Sequence, residues 1–302
     1  MESSSAIDRV NGFGPWLRER LKGQPEAVET LDAHFGRSEL GLTAPDLVRG
    51  GFLFIGPTGV GKTEATLLFA EYFFGSGALC RLNMSEFKEA KNVAEIRERL
   101  AKAKGQGSRV FLFDEVEKAH WEILDLLLQI LDQGAQISAP DGTPVGFSDS
   151  YVVLTSNLGA REAMRSRTRN HTSFTNTVMA HVRRHLRPEL LGRIESVGSP
   201  IVFRRLEEPE QRQLAQYHLG QVLARMKLHG CDLTLDARAF EYLIRTGFSD
   251  DYGARPLLGV IRKAVEGAAS DALRRHRPLS GVLTEREDGK GLAIEEVRSK
   301  AA

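Results

Sequence analysis

Gly56-Pro57-Thr58-Gly59-Val60-Gly61-Lys62-Thr63 follows the spacing G-x-x-x-x-G-K-T, and its flanks are those such a stretch needs. Before it, Gly51-Phe52-Leu53-Phe54-Ile55 is an apolar run of strand length. After it, Glu64 to Phe74 carries Ala, Thr, Leu and Phe at helical spacing. Strand, glycine-rich turn and helix in this order predict a phosphate-binding loop. Glycines let successive backbone N–H groups point into one concavity, the helix N-terminus adds partial positive charge, and Lys62 brings a full charge to the outer phosphates. Thr63 offers its hydroxyl to a magnesium ion. An ordinary glycine turn with an incidental lysine would leave both flanks unexplained.

Two further strands end in polar residues. Arg109-Val110-Phe111-Leu112-Phe113 runs into Asp114-Glu115, and the carboxyl end of a strand is where ligands bind in an open α/β sheet. Beside a phosphate loop, Asp114 would hold the magnesium shell through water and Glu115 would polarise the attacking water. A helix cap before Trp121, Leu124 and Leu127 accounts for one of these acids, and less well for the ordered pair. Tyr151-Val152-Val153-Leu154-Thr155-Ser156-Asn157 is another strand, and it brings Asn157 beside Glu115 if the two strands are neighbours.

The rest of the chain extends this pattern. Residues 1–14 are polar and contain glycine, which predicts a flexible tail; Trp16, Leu17 and Leu21 begin an ordered segment. Pro25 suits the first turn of a helix through Ala27, Val28, Leu31 and Phe35. A strand over residues 79–82 is followed by Ser85 as the cap of a short turn, then by a helix marked by Val93, Ile96 and Leu100. Asp141-Gly142-Thr143-Pro144 reads as a hairpin tip. Strands alternate with helices as far as Ile201-Val202-Phe203, the signature of an α/β fold with a parallel sheet flanked by helices. Beyond it the chain is mainly helical over residues 209–228, 236–246 and 256–275, with a terminal hairpin around Asp288-Gly289. The predicted organisation is a tail (1–14), a large α/β nucleotide-binding domain (15–203) and a small, mainly helical domain (204–302).

Composition narrows the function classes. The 302 residues suffice for two cores, and 41% hydrophobic with 27% charged residues is ordinary for a soluble protein. A net charge of +1 provides no overall drive toward nucleic acid or membranes. The basic stretch with Arg161, Arg165, Arg167 and Arg169 reads first as a solvated surface and second as a nucleic-acid contact. Cys80 and Cys231 form no metal or disulfide pattern, and His181 and His185 have no acidic or cysteine partner in sequence. The N-terminus lacks signal-peptide regions and no apolar run approaches the ~18 residues of a membrane span, so a cytoplasmic protein is expected.

Taken together, Gly56 to Glu64 (GPTGVGKTE), Phe111 to His120 (FLFDEVEKAH), Thr155 to Gly159 (TSNLG), Arg187 to Ile194 (RPELLGRI) and Gly253 to Leu257 (GARPL) resemble the second ATPase ring of Clp-type AAA+ unfoldases and disaggregases. Gly23 to Val28 (GQPEAV) is similar to that family's opening motif. The resemblance implies a AAA+ phosphate-loop fold that binds ATP and Mg2+ through Gly56, Pro57, Thr58, Gly59, Val60, Gly61, Lys62, Thr63, Glu64 and Asp114, with Glu115 as catalytic base. It implies that Asn157 is the first sensor, Arg193 an arginine finger that completes a neighbouring subunit's site, and Arg255 a second sensor on the small domain. Self-assembly into a ring or spiral, a hexamer by resemblance, follows from a site completed in trans.

One departure stands out. Clp unfoldases carry, between the SEF segment and the acidic strand, an insertion with an aromatic, glycine-flanked loop that grips substrate. Here Glu86 to Arg109 holds only a helix and Gly105-Gln106-Gly107, with no Tyr or Trp and with Phe87 too early. No preceding ATPase ring, adaptor domain or peptidase-docking tripeptide is expected. The leading expectation is an ATPase that remodels or switches an unidentified partner protein complex without threading. The alternatives are an unfoldase that uses another loop, such as Gln136 to Phe147, and a nucleic-acid-associated switch that uses Arg161 to Arg169.

Overall fold

The computed structural model describes residues 2–165, 171–249, 251–275 and 279–295. The chain divides into two compact units, Met1–Pro57 with Gly61–Arg204, and Thr58–Val60 with Arg205–Ala302. Among the described residues no helix is long and apolar enough to cross a membrane.

The first unit opens with helices α1 (Glu2–Arg20) and α2 (Pro25–Ser38), then strand β1 (Gly50–Ile55), α3 (Lys62–Phe74), β2 (Leu79–Asn83), α4 (Asn92–Gly105), β3 (Val110–Asp114) and α5 (Trp121–Leu131). A hairpin of β4 (Gln136–Ser138) and β5 (Pro144–Gly146) precedes β6 (Tyr151–Ser156), α6 (Ala160–Arg165), α7 (His171–His185), α8 (Pro188–Val197) and β7 (Gly198–Val202). The five long strands form one parallel sheet in the order β2-β3-β6-β1-β7. Both faces are covered, so β1 and β6 are buried at every position instead of alternating.

Alternation along β1 sends Leu53 and Ile55 to a core shared with Ile96 of α4, Leu127 of α5 and Ile194 of α8. Phe52 and Phe54 take the other face, where an aromatic cluster joins α1, α2 and α3. In it Phe35 stacks on Phe73 at 4.7 Å and Phe13 meets both, at 5.1 and 4.8 Å. This cluster corrects the expectation for residues 1–14: the chain is helical from Glu2, because Phe13 and Leu17 bury completely against it. A second correction concerns the turn after β2. Asn83, not Ser85, caps Met84–Glu86, and its side chain accepts from the Ser85 N–H (3.1 Å) and hydroxyl (2.8 Å).

Where β1 meets β7 the backbones nearly touch. A Cβ on Gly198 would lie 1.9 Å from the Gly51 carbonyl oxygen, a contact no side-chain adjustment relieves. Nearby, the 5%-exposed carboxylate of Glu39 accepts from Tyr151 Oη (2.7 Å) and pairs with Arg49 (3.1 Å) and Arg9 (3.2 Å). That is how a buried charge becomes tolerable.

His34 is buried in the same region, with its Nε2 3.0 Å from the Arg49 carbonyl oxygen. It lines a cavity of about 290 Å³ together with Arg37, Arg49 and Glu195. Burial, aided by Arg37, holds its pKa below the ordinary 6.5. Folding therefore favours neutral His34, and its stabilisation is complete above pH 6.5 and is lost as pH falls through the depressed folded value. Thermal unfolding is expected to drop between pH 7.5 and 5.5, and His34→Phe, which keeps the ring against Phe52, is expected to flatten that drop. Half-buried His218 is shifted in the same direction, again chiefly by desolvation, and adds to the slope.

The second unit contains α9 (Glu208–Leu228), β8 (Leu233–Leu235), α10 (Ala237–Gly247), α11 (Leu257–Arg274), β9 (Gly281–Glu285) and β10 (Leu292–Glu295). Leu219, Leu243, Ile261, Val265, Leu283 and Leu292 form its core. The helices start where local capping dictates: Glu207 and Glu210 make a capping box for α9, and Asp236 accepts from the Ala239 N–H at 2.7 Å for α10. Strands β9 and β10 are the expected hairpin. Strand β8, which was not expected, joins them as a three-stranded sheet by pairing parallel to β9.

Candidate nucleotide site

The phosphate loop leaves β1 at Ile55 and enters α3 at Lys62. Gly56, Gly59 and Gly61 take φ of 150°, 72° and 108°, conformations that side chains rarely adopt. Gly61 is the residue before the first turn of α3, so the free N–H groups of a 13-residue helix open toward the loop. Lys62 is buried, and its Nζ donates to the carbonyls of Gly56 (2.6 Å) and Pro57 (2.6 Å) and to Asn157 Oδ1 (2.9 Å). Its charge is thus held at the mouth of the loop, where phosphate oxygens would compete for the same donors. Thr63 and Glu64 follow on the first turn of α3.

Pairing of β3 with β6 brings the acids and the asparagine together. Thr155 ties them: its Oγ1 accepts from the Glu115 N–H (3.0 Å) and donates to Asp114 Oδ1. Asp114 Oδ2 accepts from Arg81 of β2 at 2.6 Å. Glu115 occupies the left-handed region with φ 61° and ψ 54°, a sparsely populated conformation for a side-chain-bearing residue that clusters at functional sites. Its Oε2 accepts from Lys118 at 2.6 Å and its Oε1 from Asn157 Nδ2 at 3.3 Å. Asn157 therefore bridges Lys62 and Glu115. The cradle, the cation, the half-buried Asp114 carboxylate and the hydroxyl of Thr63 on the first turn of α3 are donor types that fit a nucleotide with magnesium.

Two further predicted residues are on other elements. Arg193 sits on α8 with its side chain 46% exposed and paired with Asp132 Oδ2 at 3.0 Å. Arg255 lies exposed in the second unit just ahead of α11, its N–H donating to the Tyr252 carbonyl at 3.1 Å. Gln24, of the opening motif, is buried and clamps the Arg204 backbone: its Nε2 donates to the Arg204 carbonyl (2.8 Å) and its Oε1 accepts from the Arg204 N–H (3.1 Å). Of the arginine-rich stretch, Arg161 is in the first turn of α6 and Arg165 is its last residue, while Arg167 and Arg169 lie outside the described residues. His181 and His185 stack on α7 at 6.1 Å, and no metal-holding cluster occurs among the described residues.

Comparison with known proteins matches the geometry. Residues 48–197 fit the model described as AAA domain (Cdc48 subfamily), and residues 206–281 fit the C-terminal, D2-small domain, of ClpB protein. The chain belongs to the Clp-type AAA+ ATPase family. Among relatives of this Clp-type chain, the chaperone protein ClpB of Vibrio vulnificus is 35% identical over 272 residues, which cover 85% of the chain and 31% of that protein. The ATP-dependent Clp protease ATP-binding subunit ClpA homolog of Porphyra purpurea is 34% identical over 295 residues, 89% and 35% of the two chains. Among solved structures, the S. cerevisiae Hsp104-ADP complex superposes with a TM-score of 0.83 at 27% identity, over 94% of this chain and 51% of that one. The Clp-type chain spans about a third of the length of the curated relatives it matches.

Arg81, Thr155, Glu117 and Lys118 all hold site residues, and none stands out as a site residue in the sequence. Thr155 offered one signal, a hydroxyl at the polar end of a strand that begins apolar. In this AAA+ site, replacing Lys62 with Ala is expected to weaken binding of a fluorescent ATP analogue about 10- to 100-fold, the worth of a charge-assisted contact to phosphate. Equilibrium titration checks this; unchanged affinity would remove Lys62 from the phosphate contact.

Proposed function

We propose that this chain binds ATP with magnesium and hydrolyses it at a site completed by a neighbouring copy, and that it uses nucleotide turnover to remodel or switch a partner protein complex. One observation carries the reading: Asn157 joins the phosphate-loop cation Lys62 to the carboxylate of Glu115, next to Asp114. The names of the relatives, a chaperone, an ATP-binding subunit and an ADP complex, agree with it. Thr63 and Asp114 would hold the magnesium ion, which when bound neutralises charge on the phosphates. Glu115 would take a proton from the attacking water, Asn157 would hold that water and the base in register, and the loop N–H groups with Lys62 would orient the phosphates. Arg193 is assigned to a neighbour's site and Arg255 to sensing the nucleotide. The expected assembly is a homo-oligomeric ring or spiral, and the expected location is the cytoplasm.

The reading excludes threading by the usual loop. Over residues 84–109 the only aromatic is Phe87, which is fully buried, has Arg99 over its ring at 5.2 Å, and accepts through its carbonyl from the His120 N–H at 2.9 Å. The hairpin suggested as a substitute offers no aromatic either, since Phe147 is buried against Phe111 at 5.0 Å. A second reading keeps one specific support: Trp121 is 58% exposed, next to the His120 that pairs with Phe87. If it grips polypeptide, the chain is an unfoldase after all.

The deciding measurement is specific ATPase activity across a wide protein concentration range, alongside unfolding of a tagged, folded substrate. Activity that rises with concentration without processive unfolding is the expected result. Unfolding that Trp121→Ala abolishes would establish the second reading, and activity independent of concentration would remove the shared site.

A further inference from the structure

Glu117 plays no part in the chemistry described so far, yet it is built into the site. It sits on the tight turn Val116–Lys118, which the fully buried Val116 anchors directly after the strained Glu115. Its Oε1 accepts the backbone N–H of Asn157 at 3.1 Å. Its Oε2 is buried and has no hydrogen-bond partner among the described residues. Leaving a carboxylate oxygen dry and unpaired is costly. A residue placed only for packing would be apolar there, so the bond to Asn157 must account for the cost.

That bond acts on the one residue bridging phosphate loop and base. Asn157 lies just past the end of β6, where sheet pairing no longer holds the backbone. Its side chain must nevertheless reach Lys62 on one side and Glu115 on the other. A charged acceptor makes a stronger bond to a backbone N–H than a neutral one. The same turn delivers Lys118 to Glu115, so two consecutive residues hold the site: Lys118 the base and Glu117 the sensor backbone.

We propose that Glu117 is a positioning residue: it fixes the Asn157 backbone so that the Asn157 amide spans Lys62 and Glu115 in register for hydrolysis. The proposal rests on the ATPase reading above. Its test compares Glu117→Met, which keeps length and removes both acceptors, with Glu117→Gln, which keeps an acceptor oxygen. Each is measured for kcat, KM, ATP-analogue affinity and hydrogen exchange at the Asn157 amide. Expected for Glu117→Met is a kcat about 10- to 100-fold lower, as for a slightly misplaced catalytic group, with KM and affinity nearly unchanged and Asn157 exchange accelerated. Glu117→Gln should restore both kcat and protection. In an Asn157→Ala background Glu117→Met should cost nothing further, because both act through one side chain.

Multiplying effects in the double variant, unchanged Asn157 exchange, or a kcat matching wild type would each overturn the proposal. Should Glu117→Met fail to fold, Glu117→Asp, which withdraws the carboxylate by one methylene, gives the same comparison. If the wild type binds ATP but does not turn it over when assembled, the ATPase reading fails, whereas turnover with an indifferent Glu117 refutes only the positioning role.

Discussion

Glu115→Gln is expected to reduce ATP turnover about 10²- to 10⁴-fold, the usual contribution of a general base, while nucleotide binding stays intact. The amide keeps the shape and can still accept from Asn157 Nδ2, so the site should hold together; what disappears is the ability to take a proton. The surroundings support this separation. The Glu115 backbone is held in its left-handed conformation by the N–H bond to Thr155, independently of the side chain. Phosphate release at saturating ATP, with affinity titrated in parallel, makes the comparison. If turnover persists within a few-fold of wild type, Glu115 is not the base and the ordered acid pair needs another explanation. If affinity collapses as well, the residue is structural.

Arg193→Ala is expected to cost about 10³- to 10⁵-fold in turnover by the assembled protein, the range for a trans-acting arginine. Among the described residues the half-exposed Arg193 side chain pairs with Asp132, a surface ion pair worth little to stability, so its removal should leave folding untouched. The decisive version mixes two inactive variants. A Glu115→Gln subunit still presents Arg193, and an Arg193→Ala subunit still presents Glu115. A shared site therefore recovers part of the activity on mixing, because some boundaries combine both intact groups. No recovery, or full activity of Arg193→Ala alone, would place the arginine outside the reaction.

The two predictions depend on different kinds of information. The phosphate loop, the acid pair at the end of β3 and the start of α2 at Pro25 were legible because each is written in a few consecutive residues: glycine spacing, an apolar run ending in carboxylates, a proline suited to a first turn. Their meaning is local, and so is their physics. Helix α1 was not legible. Gly12, Gly14 and Pro15 argue against a helix, and the burial of Phe13 among Phe35, Tyr72 and Phe73, together with that of Leu17, outweighs them. Strand β8 was not legible either, since three residues carry no periodicity and its partner lies 48 positions later.

The sequence by itself determined the chemistry on offer: a phosphate cradle, a lysine, two ordered carboxylates, an asparagine at a strand end, and a stretch from Glu86 to Arg109 without Tyr or Trp. Only the tertiary structure decided how these groups are held. The strand order places β3 beside β6, and that adjacency alone lets Thr155 span both acids, Asn157 bridge Lys62 and Glu115, and Glu117 hold the Asn157 backbone. The physical reason is distance along the chain. Hydrogen bonds between residues about 40 positions apart leave no periodic trace in composition or spacing, whereas the loop that binds phosphate is closed within eight consecutive residues.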